Sequence, residues 1–378
     1  MRILAMGPSS HYLSFLHSSL GITSEVAGRT AVDASIEAII DTDQEARLVL
    51  ITLSSLLEEV STVILERITI IGVPERTSAK SKILSLYSRE RRFMTREIKR
   101  QSFDRILVHW TYEYALAIPR RLATKTVLVV HDAPFRVTYL APSWMRVAKV
   151  LMAIVTRIKL HNARFVAVSR YTAERIRKEM CLFRTIDLLP NALTYADCSK
   201  VSEKRPFTIL CIANDSNLKD VKSLIAAHQE LIAYYPTLST RLVGPGLELN
   251  STFAGKQGLL EGIEWMGKKD SSDLFKLIRE SFLVVSCSKE ESFGLTCLEA
   301  LYLGTKFVTR NPLPSFLEIG EGNPLFIRST PATFFKDLAK ILETPYDQNS
   351  IPESRSAIEL MFGKFCYGDR LKAIFYAN

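Results

Sequence analysis

The densest chemistry in the chain lies in residues 286–300, Ser-Cys-Ser-Lys-Glu-Glu-Ser-Phe-Gly-Leu-Thr-Cys-Leu-Glu-Ala. An apolar strand runs into a loop carrying Glu290 and Glu291, and a helix entered near Gly294 carries Glu299. On that helix Glu299 sits about 7–8 Å along the axis, at roughly 1.5 Å per residue. Between the carboxylates, the helix N-terminus presents N–H groups without intrahelical partners and the positive end of the helix dipole. A diphosphate suits that N-terminus. One carboxylate suits a ribose diol and the other the hydroxyls of a sugar. Gly294, flanked by Ser292, Phe293 and Leu295, leaves the backbone free to approach a ligand. On carboxylate count alone, an acidic loop beside an amphipathic helix is the plainer reading.

Other groups carry weaker signals. His131 ends an apolar strand and is followed by Asp132; a histidine there is commonly a satisfied structural group. Asp41-Thr-Asp43 mimics a metal-binding Asp-x-Asp, but its polar surroundings read as a solvated loop. Cys181, Cys198, Cys211, Cys287, Cys297 and Cys366 show no CxxC pair or metal-ligand spacing. Several lie in apolar runs as small buried hydrophobes, and a reducing cytoplasm is the simplest setting. No Gly-x-Gly-x-x-Gly follows the first strand of either half, which argues against a dinucleotide-binding dehydrogenase.

These groups must be held by elements, and the chain is long enough for two α/β domains at 378 residues, 47% of them hydrophobic and 24% charged. Apolar runs predict strands over 2–6, 47–53, 68–73, 105–109, 126–131 and 164–169. Amphipathic stretches between them predict helices over 80–100, 113–123, 143–161 and 171–179. A polar stretch over 193–206 reads as a linker. Strands over 207–213, 240–243, 263–266, 282–286 and 306–309 follow, with helices over 219–234, 271–280, 295–303 and 331–342. Buried-type strands alternating with helices specify doubly wound parallel sheets. Two such units in tandem place a ligand cleft at the carboxyl ends of the strands. Residues 354–378 form an amphipathic, aromatic helical tail.

The net charge of +9 predicts attraction to an anion, whether nucleic acid, membrane or phosphorylated small molecule. Residues 89–100 are strongly basic at helical spacing, by default a solvated face. Residues 143–161 mix Trp144, Met145, Val150, Leu151 and Ile154 with Arg146, Lys149, Arg157 and Lys159, which suits either the core or an anionic membrane surface. Gly7 and Pro8 interrupt the opening apolar stretch, which therefore reads as a strand and not a signal peptide. No uncharged apolar run approaches the roughly 18 residues that span a bilayer. The expectation is a soluble or peripheral protein.

The Glu291-to-Glu299 segment resembles the retaining GT-B glycosyltransferases of family 4, and the resemblance extends over nearly the whole chain. Lys219 in Asn-Leu-Lys-Asp-Val-Lys-Ser-Leu matches the family's donor-phosphate lysine, and Val243-Gly-Pro-Gly246 its Val-Gly-x-Gly turn with Gly244. Pro190-Asn191-Ala192 is similar to its Pro-Asn-Gly element, Val166-Ala-Val-Ser169 to a strand ending in serine, and Val129-Val-His-Asp132 to the strand whose histidine lines the reaction centre. His109-Trp-Thr-Tyr-Glu113 resembles a bacterial branch of the family. Three departures stand out. The family's Gly-Arg before the lysine is Ala213-Asn214, its glycine-rich loop is reduced to Gly7-Pro-Ser-Ser-His11, and Pro-Asn-Gly has lost its glycine.

The resemblance implies a GT-B fold of two Rossmann-like domains, with an acceptor-binding domain over 1–192, a linker over 193–206, a nucleotide-sugar domain over 207–353 and a tail over 354–378 crossing back to the first. It implies a retaining transferase for polysaccharide, lipopolysaccharide or glycolipid synthesis, cytoplasmic or peripheral on the inner membrane face. His131 and Glu291 would be catalytic; Asn214, Lys219, Gly244, Ser292, Phe293, Gly294, Leu295 and Glu299 would bind the donor. Gly7, His109, Glu113, Asp132, Ser169 and Asn191 would lie on the acceptor side or in the cleft. The co-substrate would be a nucleotide-diphosphate-sugar and the partner a saccharide or lipid-linked acceptor, with no cofactor, metal or nucleic acid. The competing reading is a GT-B binding protein for a sugar nucleotide or another anion.

Overall fold

Short runs rich in the β-branched Val and Ile favour extended backbone, whose N–H and C=O groups must pair with neighbouring strands, and in this chain they do so in two separate sheets. The computed structural model describes residues 1–23, 30–109, 112–132, 143–179, 185–193, 203–258 and 260–376. Cys181, Cys198, Trp110, Thr111 and most of the expected linker fall outside them. Two compact units emerge, one of residues 1–192 with 364–378 and one of residues 193–363.

In the first unit the strands are β1 (Arg2–Met6), β2 (Arg47–Ser54), β3 (Ser61–Leu65), β4 (Ile68–Pro74), β5 (Arg105–His109), β6 (Thr126–Val130), β7 (Arg164–Ala167) and β8 (Asp187–Leu188). They form one sheet in the order β3-β4-β2-β1-β5-β6-β7-β8, parallel except for β3, which hairpins onto β4. The alternating exposure of β3, with Ile64 outward, marks an edge strand, absent from the expected set because it lacks a continuous apolar run. Right-handed crossovers place the helices after β4 on one face of the sheet. There Met94, Ile98, Tyr114, Met152, Leu160 and Ile176 pack on Leu4, Met6, Val49 and Ile51. Helix Ala31–Thr42 lies over the other face, with tail helix Lys364–Tyr376 against it.

In the second unit, β9 (Arg205–Ile212), β10 (Ser239–Val243), β11 (Ile263–Gly267), β12 (Ser281–Ser286), β13 (Lys306–Thr309) and β14 (Phe326–Arg328) form an all-parallel sheet ordered β11-β10-β9-β12-β13-β14. The crossover from β9 leaves toward β10, and the chain returns to β12 on the other side. The switch point therefore lies between β9 and β12, where α/β sheets bind ligands.

Several expectations are corrected. The helix expected over 80–100 is two, Ala79–Leu84 and Ser88–Lys99, because Leu86 and Tyr87 adopt left-handed φ of 50° and 54°. The helix over 113–123 stops at Ala117; Pro119, with no N–H to donate, precedes a 3₁₀ turn at Arg120–Lys125. Asp41-Thr-Asp43 is no solvated loop: Asp41 and Thr42 end helix Ala31–Thr42, with Asp43 as its C-cap. Lys364 pairs with Asp41 at 2.5 Å, Lys372 donates to the Thr42 carbonyl, and Arg67 to that of Asp43. Residues 354–378 are not one tail, since helix Ser350–Phe362 packs within the second unit on helix Leu295–Tyr302. Only Lys364 onward belongs with the first unit, where the Tyr367 hydroxyl donates to Ser35 at 2.7 Å.

Candidate functional site

Two loops meet at the β9–β12 switch point. After β9 the chain turns through Asn214, whose side-chain oxygen accepts the Ser216 N–H at 3.1 Å, a turn typical of asparagine. The Lys219 N–H then donates to the Ser216 carbonyl at 3.0 Å, closing the loop before helix Val221–Leu231. After β12, Asn311 holds the carbonyls of Cys287 and Ser288 through Nδ2 at 3.1 and 2.9 Å, and the Ser315 hydroxyl holds that of Glu291 at 2.9 Å. The Lys289 N–H ties the two loops by donating to the Leu218 carbonyl at 2.7 Å. Lys219 and Glu291 thereby face each other, Nζ bonded to Oε1, and the Ser288 hydroxyl donates to the same oxygen at 3.0 Å.

The chain then enters helix Leu295–Tyr302 through Gly294, whose φ is 98° and which offers no side-chain cap. A Cβ at Gly294 would meet the Phe316 ring at 2.7 Å, so glycine is needed there for packing as well as for backbone shape. Gly244, with φ of 138°, is tighter still, since a Cβ would lie 1.8 Å from the Ala213 carbonyl oxygen. Phe293 is buried edge-on against Phe362, so only its backbone is left to face a ligand. Ser292 and Leu295 flank the helix start and are partly exposed. Glu299 is partly buried, and its carboxylate makes no hydrogen bond among the described residues. Burial pushes it up to about 7. Its oxygens are left to accept hydroxyl donors from solvent or a ligand.

The first unit gathers its own groups at the carboxyl ends of its strands, around the switch point between β1 and β5. Gly7 follows β1, and a Cβ there would press on His109 at 3.0 Å. The loop that lacks the glycine-rich sequence is instead latched by Asp33. Asp33 accepts the Ser9 hydroxyl at 2.5 Å, the N–H groups of Ser10 and His11, and the N–H and hydroxyl of Thr30. His109 Nδ1 and His131 Nε2 lie 2.9 Å apart with the rings stacked, and burial holds both imidazoles below the ordinary histidine range. Asp132 follows, exposed. Burial also pushes Glu113 up to about 7, with Glu75 adding to the rise. Ser169 is a cap: its hydroxyl accepts the Thr172 N–H at 3.1 Å at the start of helix Arg170–Glu179. Asn191 is buried beyond β8.

Sequence spacing did not point to Asp33, Asp220, Arg310, Asn311 or Ser315, which act across long chain separations. Asp220 lies in the left-handed region at φ 46° and carries Lys289 and Arg310 on its two oxygens at 3.3 Å each. Among the described residues no group of three or more His, Cys, Asp or Glu side chains could hold a metal ion.

The same region carries a family signature, since residues 198–356 match the model described as glycosyl transferases group 1. Those residues form a glycosyl transferases group 1 domain. The matched span contains Lys219, Glu291 and Glu299. The chain has no match among curated protein sequences. Its fold, however, is shared with solved glycosyltransferase-type structures. Sucrose-phosphate synthase from Thermosynechococcus elongatus is similar at a TM-score of 0.75 and 13% identity, over 99% of this chain and 98% of that one. An E. coli trehalose-6-phosphate structure bound with UDP-2-fluoro glucose is similar at 0.71 and 10%, over 99% of each chain. Anabaena HepE, in complex with UDP and glucose, is similar at 0.65 and 15%, over 100% of each. The two parallel-sheet α/β domains are those of the GT-B fold.

Proposed function

We propose that this glycosyltransferase moves a sugar from a nucleoside-diphosphate-sugar to a saccharide or lipid-linked acceptor with retention of configuration. The observation that carries the reading is the meeting of Lys219, Glu291 and an uncapped helix N-terminus at the β9–β12 switch point. A diphosphate placed there receives the Lys219 ammonium and the free N–H groups of the first helical turn. As the sugar–phosphate bond breaks, charge grows on the leaving diphosphate, and both donors strengthen their hold on it. Glu299 takes the ribose diol, and Glu291 the transferred sugar. Burial keeps His131 of the first unit neutral, and the resemblance of Val129-Val-His-Asp132 supports a part for it in steadying charge on the transferred sugar. Structures of similar fold bound to UDP-2-fluoro glucose, or to UDP and glucose, support a nucleotide-sugar donor.

The lipid-linked acceptor has its own support. Helix Ser143–Lys159 turns Val147, Leu151, Ile154 and Ile158 outward at one-face spacing, from 44% exposed at Ile154 to 70% at Val147. The side chains of Trp144, Met145 and Arg146 lie outside the described residues. Met152, Thr156 and Leu160 of the same helix are buried, so the outer stripe is not needed for the core. Helix Ser88–Lys99, which packs on the same helix Tyr112–Ala117, exposes Arg89, Arg92, Arg96 and Lys99. An apolar stripe beside a basic face fits the surface of an anionic bilayer on its cytoplasmic side. No described helix is long and apolar enough to cross a membrane.

A thermal-shift screen against UDP-, GDP-, ADP- and CMP-linked sugars, followed by donor hydrolysis assays, tests the reading. Stabilisation and turnover with at least one donor are expected. Absence of both with every donor, alongside tight binding of RNA, would replace it with a binding protein.

A further inference from the structure

The donor side lacks one charge: the arginine of the family's Gly-Arg is Asn214 here, and its side chain is spent on the Ser216 N–H. Another guanidinium reaches the same loop further on, at Asp220, from a distant strand. Arg310 follows β13, with its N–H bonded to the Ser286 carbonyl at the end of β12 at 2.9 Å. Its Nη1 lies 3.3 Å from Asp220, the residue after Lys219. Asp220 also takes Lys289 Nζ at 3.3 Å and the Ser223 hydroxyl at 2.8 Å. Lys219, Lys289 and Arg310 thus converge on the β9–β12 switch point, against the carboxylates of Asp220 and Glu291.

The Arg310 side chain is only 21% exposed, and the contact with Asp220 is its one side-chain hydrogen bond among the described residues. A guanidinium carries five N–H donors in a fixed fork. A single bond of 3.3 Å leaves most of them unused and is longer than a strong charge-assisted pair. The donors that Asp220 leaves unused are not sealed in the core, so the oxygens of an incoming anion can reach them. We infer that Arg310 supplies the diphosphate-binding guanidinium that position 214 lacks, with Asp220 holding it and Lys289 in position until the anion binds. The inference rests on the donor-site reading of Lys219.

The test is titration calorimetry on the full chain with sodium pyrophosphate, with ADP, GDP, UDP and CDP, and with the corresponding nucleosides. Arg310→Gln should weaken pyrophosphate and the best-bound diphosphate about tenfold or more, as losing hydrogen bonds to a charged group does, and leave the nucleoside within about twofold. Adding Asn214→Arg to that variant should restore diphosphate binding. Asp220→Asn, which keeps Arg310 and removes its competitor, should tighten pyrophosphate binding. Unchanged binding in Arg310→Gln overturns the inference. So does an equal loss for nucleoside and diphosphate with a lowered Tm and no rescue, which would make Arg310 a structural partner of Asp220. If the unaltered protein binds none of the five anions, the donor-site reading itself falls.

Discussion

Lys219 and Glu291, 72 residues apart in the sequence, share a charge-assisted hydrogen bond from Nζ to Oε1. With no anion bound, the lysine's charge is therefore answered by the group expected to meet the sugar. A diphosphate must draw Lys219 away, and that exchange frees Glu291. Glu291→Gln keeps the shape and removes the competing charge. It should strengthen nucleoside-diphosphate binding about threefold to tenfold, the scale of a partly buried ion pair, while lowering turnover by about a hundredfold or more. Lys219→Met should weaken the same binding by about tenfold to a hundredfold. Calorimetry and initial rates separate these effects. Weakened binding in Glu291→Gln would show that the pair binds the donor as a unit.

Glu299 adds a pH dependence whose sign differs for stability and for binding. Burial raises its carboxyl from the ordinary 4.5 to about 7. Between those values the unfolded chain ionises while the folded one keeps its proton, so stability falls as pH rises through that window. Glu299→Gln cannot ionise and should escape this loss. Urea titrations at pH 5 and pH 8 should show the unaltered protein losing about 1–2 kcal/mol more than the variant, less than the whole shift because the side chain is partly solvated. Binding runs the other way. A ribose diol donates to the ionised carboxylate, so donor affinity should climb between pH 6 and pH 8 and stay flat in Glu299→Gln. Glu299→Ala should weaken the donor about tenfold at pH 8, the loss of hydrogen bonds to a charged acceptor. Unchanged affinity in that variant would remove Glu299 from the donor site.

What the sequence made legible follows from what is local. The strands after which the site residues come were readable because runs such as Thr-Val-Leu-Val-Val in β6 are buried on both faces of a parallel sheet. The helix start at Gly294 was readable because loop, glycine and apolar helix are contiguous. The reason for Gly294 was not, since Phe316 comes from another helix. Nor was the break at Leu86 and Tyr87, where a left-handed pair interrupts an otherwise helical pattern without glycine or proline. Asp33 reads as an ordinary helical acid, but its capping of Thr30 also latches the loop after β1. Asp220 and Arg310 are 90 residues apart, and only the strand order brings them together.

Gly244 offers a test of the sheet that carries the donor loops. It sits at φ 138°, and a side chain would drive a Cβ to 1.8 Å from the Ala213 carbonyl oxygen, which is backbone and cannot swing aside. The Ala213 N–H is meanwhile fixed to the Val243 carbonyl at 2.9 Å. Gly244→Ala should therefore destabilise the second unit by about 3 kcal/mol or more, the sum of backbone strain and overpacking. Gly322→Ala shares a positive φ, of 74°, but meets nothing within 4 Å, and should cost only about 1 kcal/mol. Thermal melts of the two variants should differ by several degrees, and equal melts would refute the steric account.

The outward stripe of helix Ser143–Lys159 separates membrane docking from chemistry. Val147 and Ile158 are 70% and 66% exposed, so replacing both with aspartate removes apolar surface without opening the core. Tm should stay within about two degrees, as for surface changes away from structural features. Each aliphatic side chain contributes about 1.5–3 kcal/mol when fully buried. Binding of the double variant to vesicles of about 30 mol% phosphatidylglycerol in phosphatidylcholine should therefore fall tenfold or more in a sedimentation assay. Raising salt to about 0.5 M should weaken the unaltered protein as well, by screening Arg89, Arg92, Arg96 and Lys99. Hydrolysis of a soluble donor should be unchanged in the double variant, because neither side chain belongs to the donor loops. Equal vesicle binding by the variant and the unaltered protein would take the stripe out of any membrane contact.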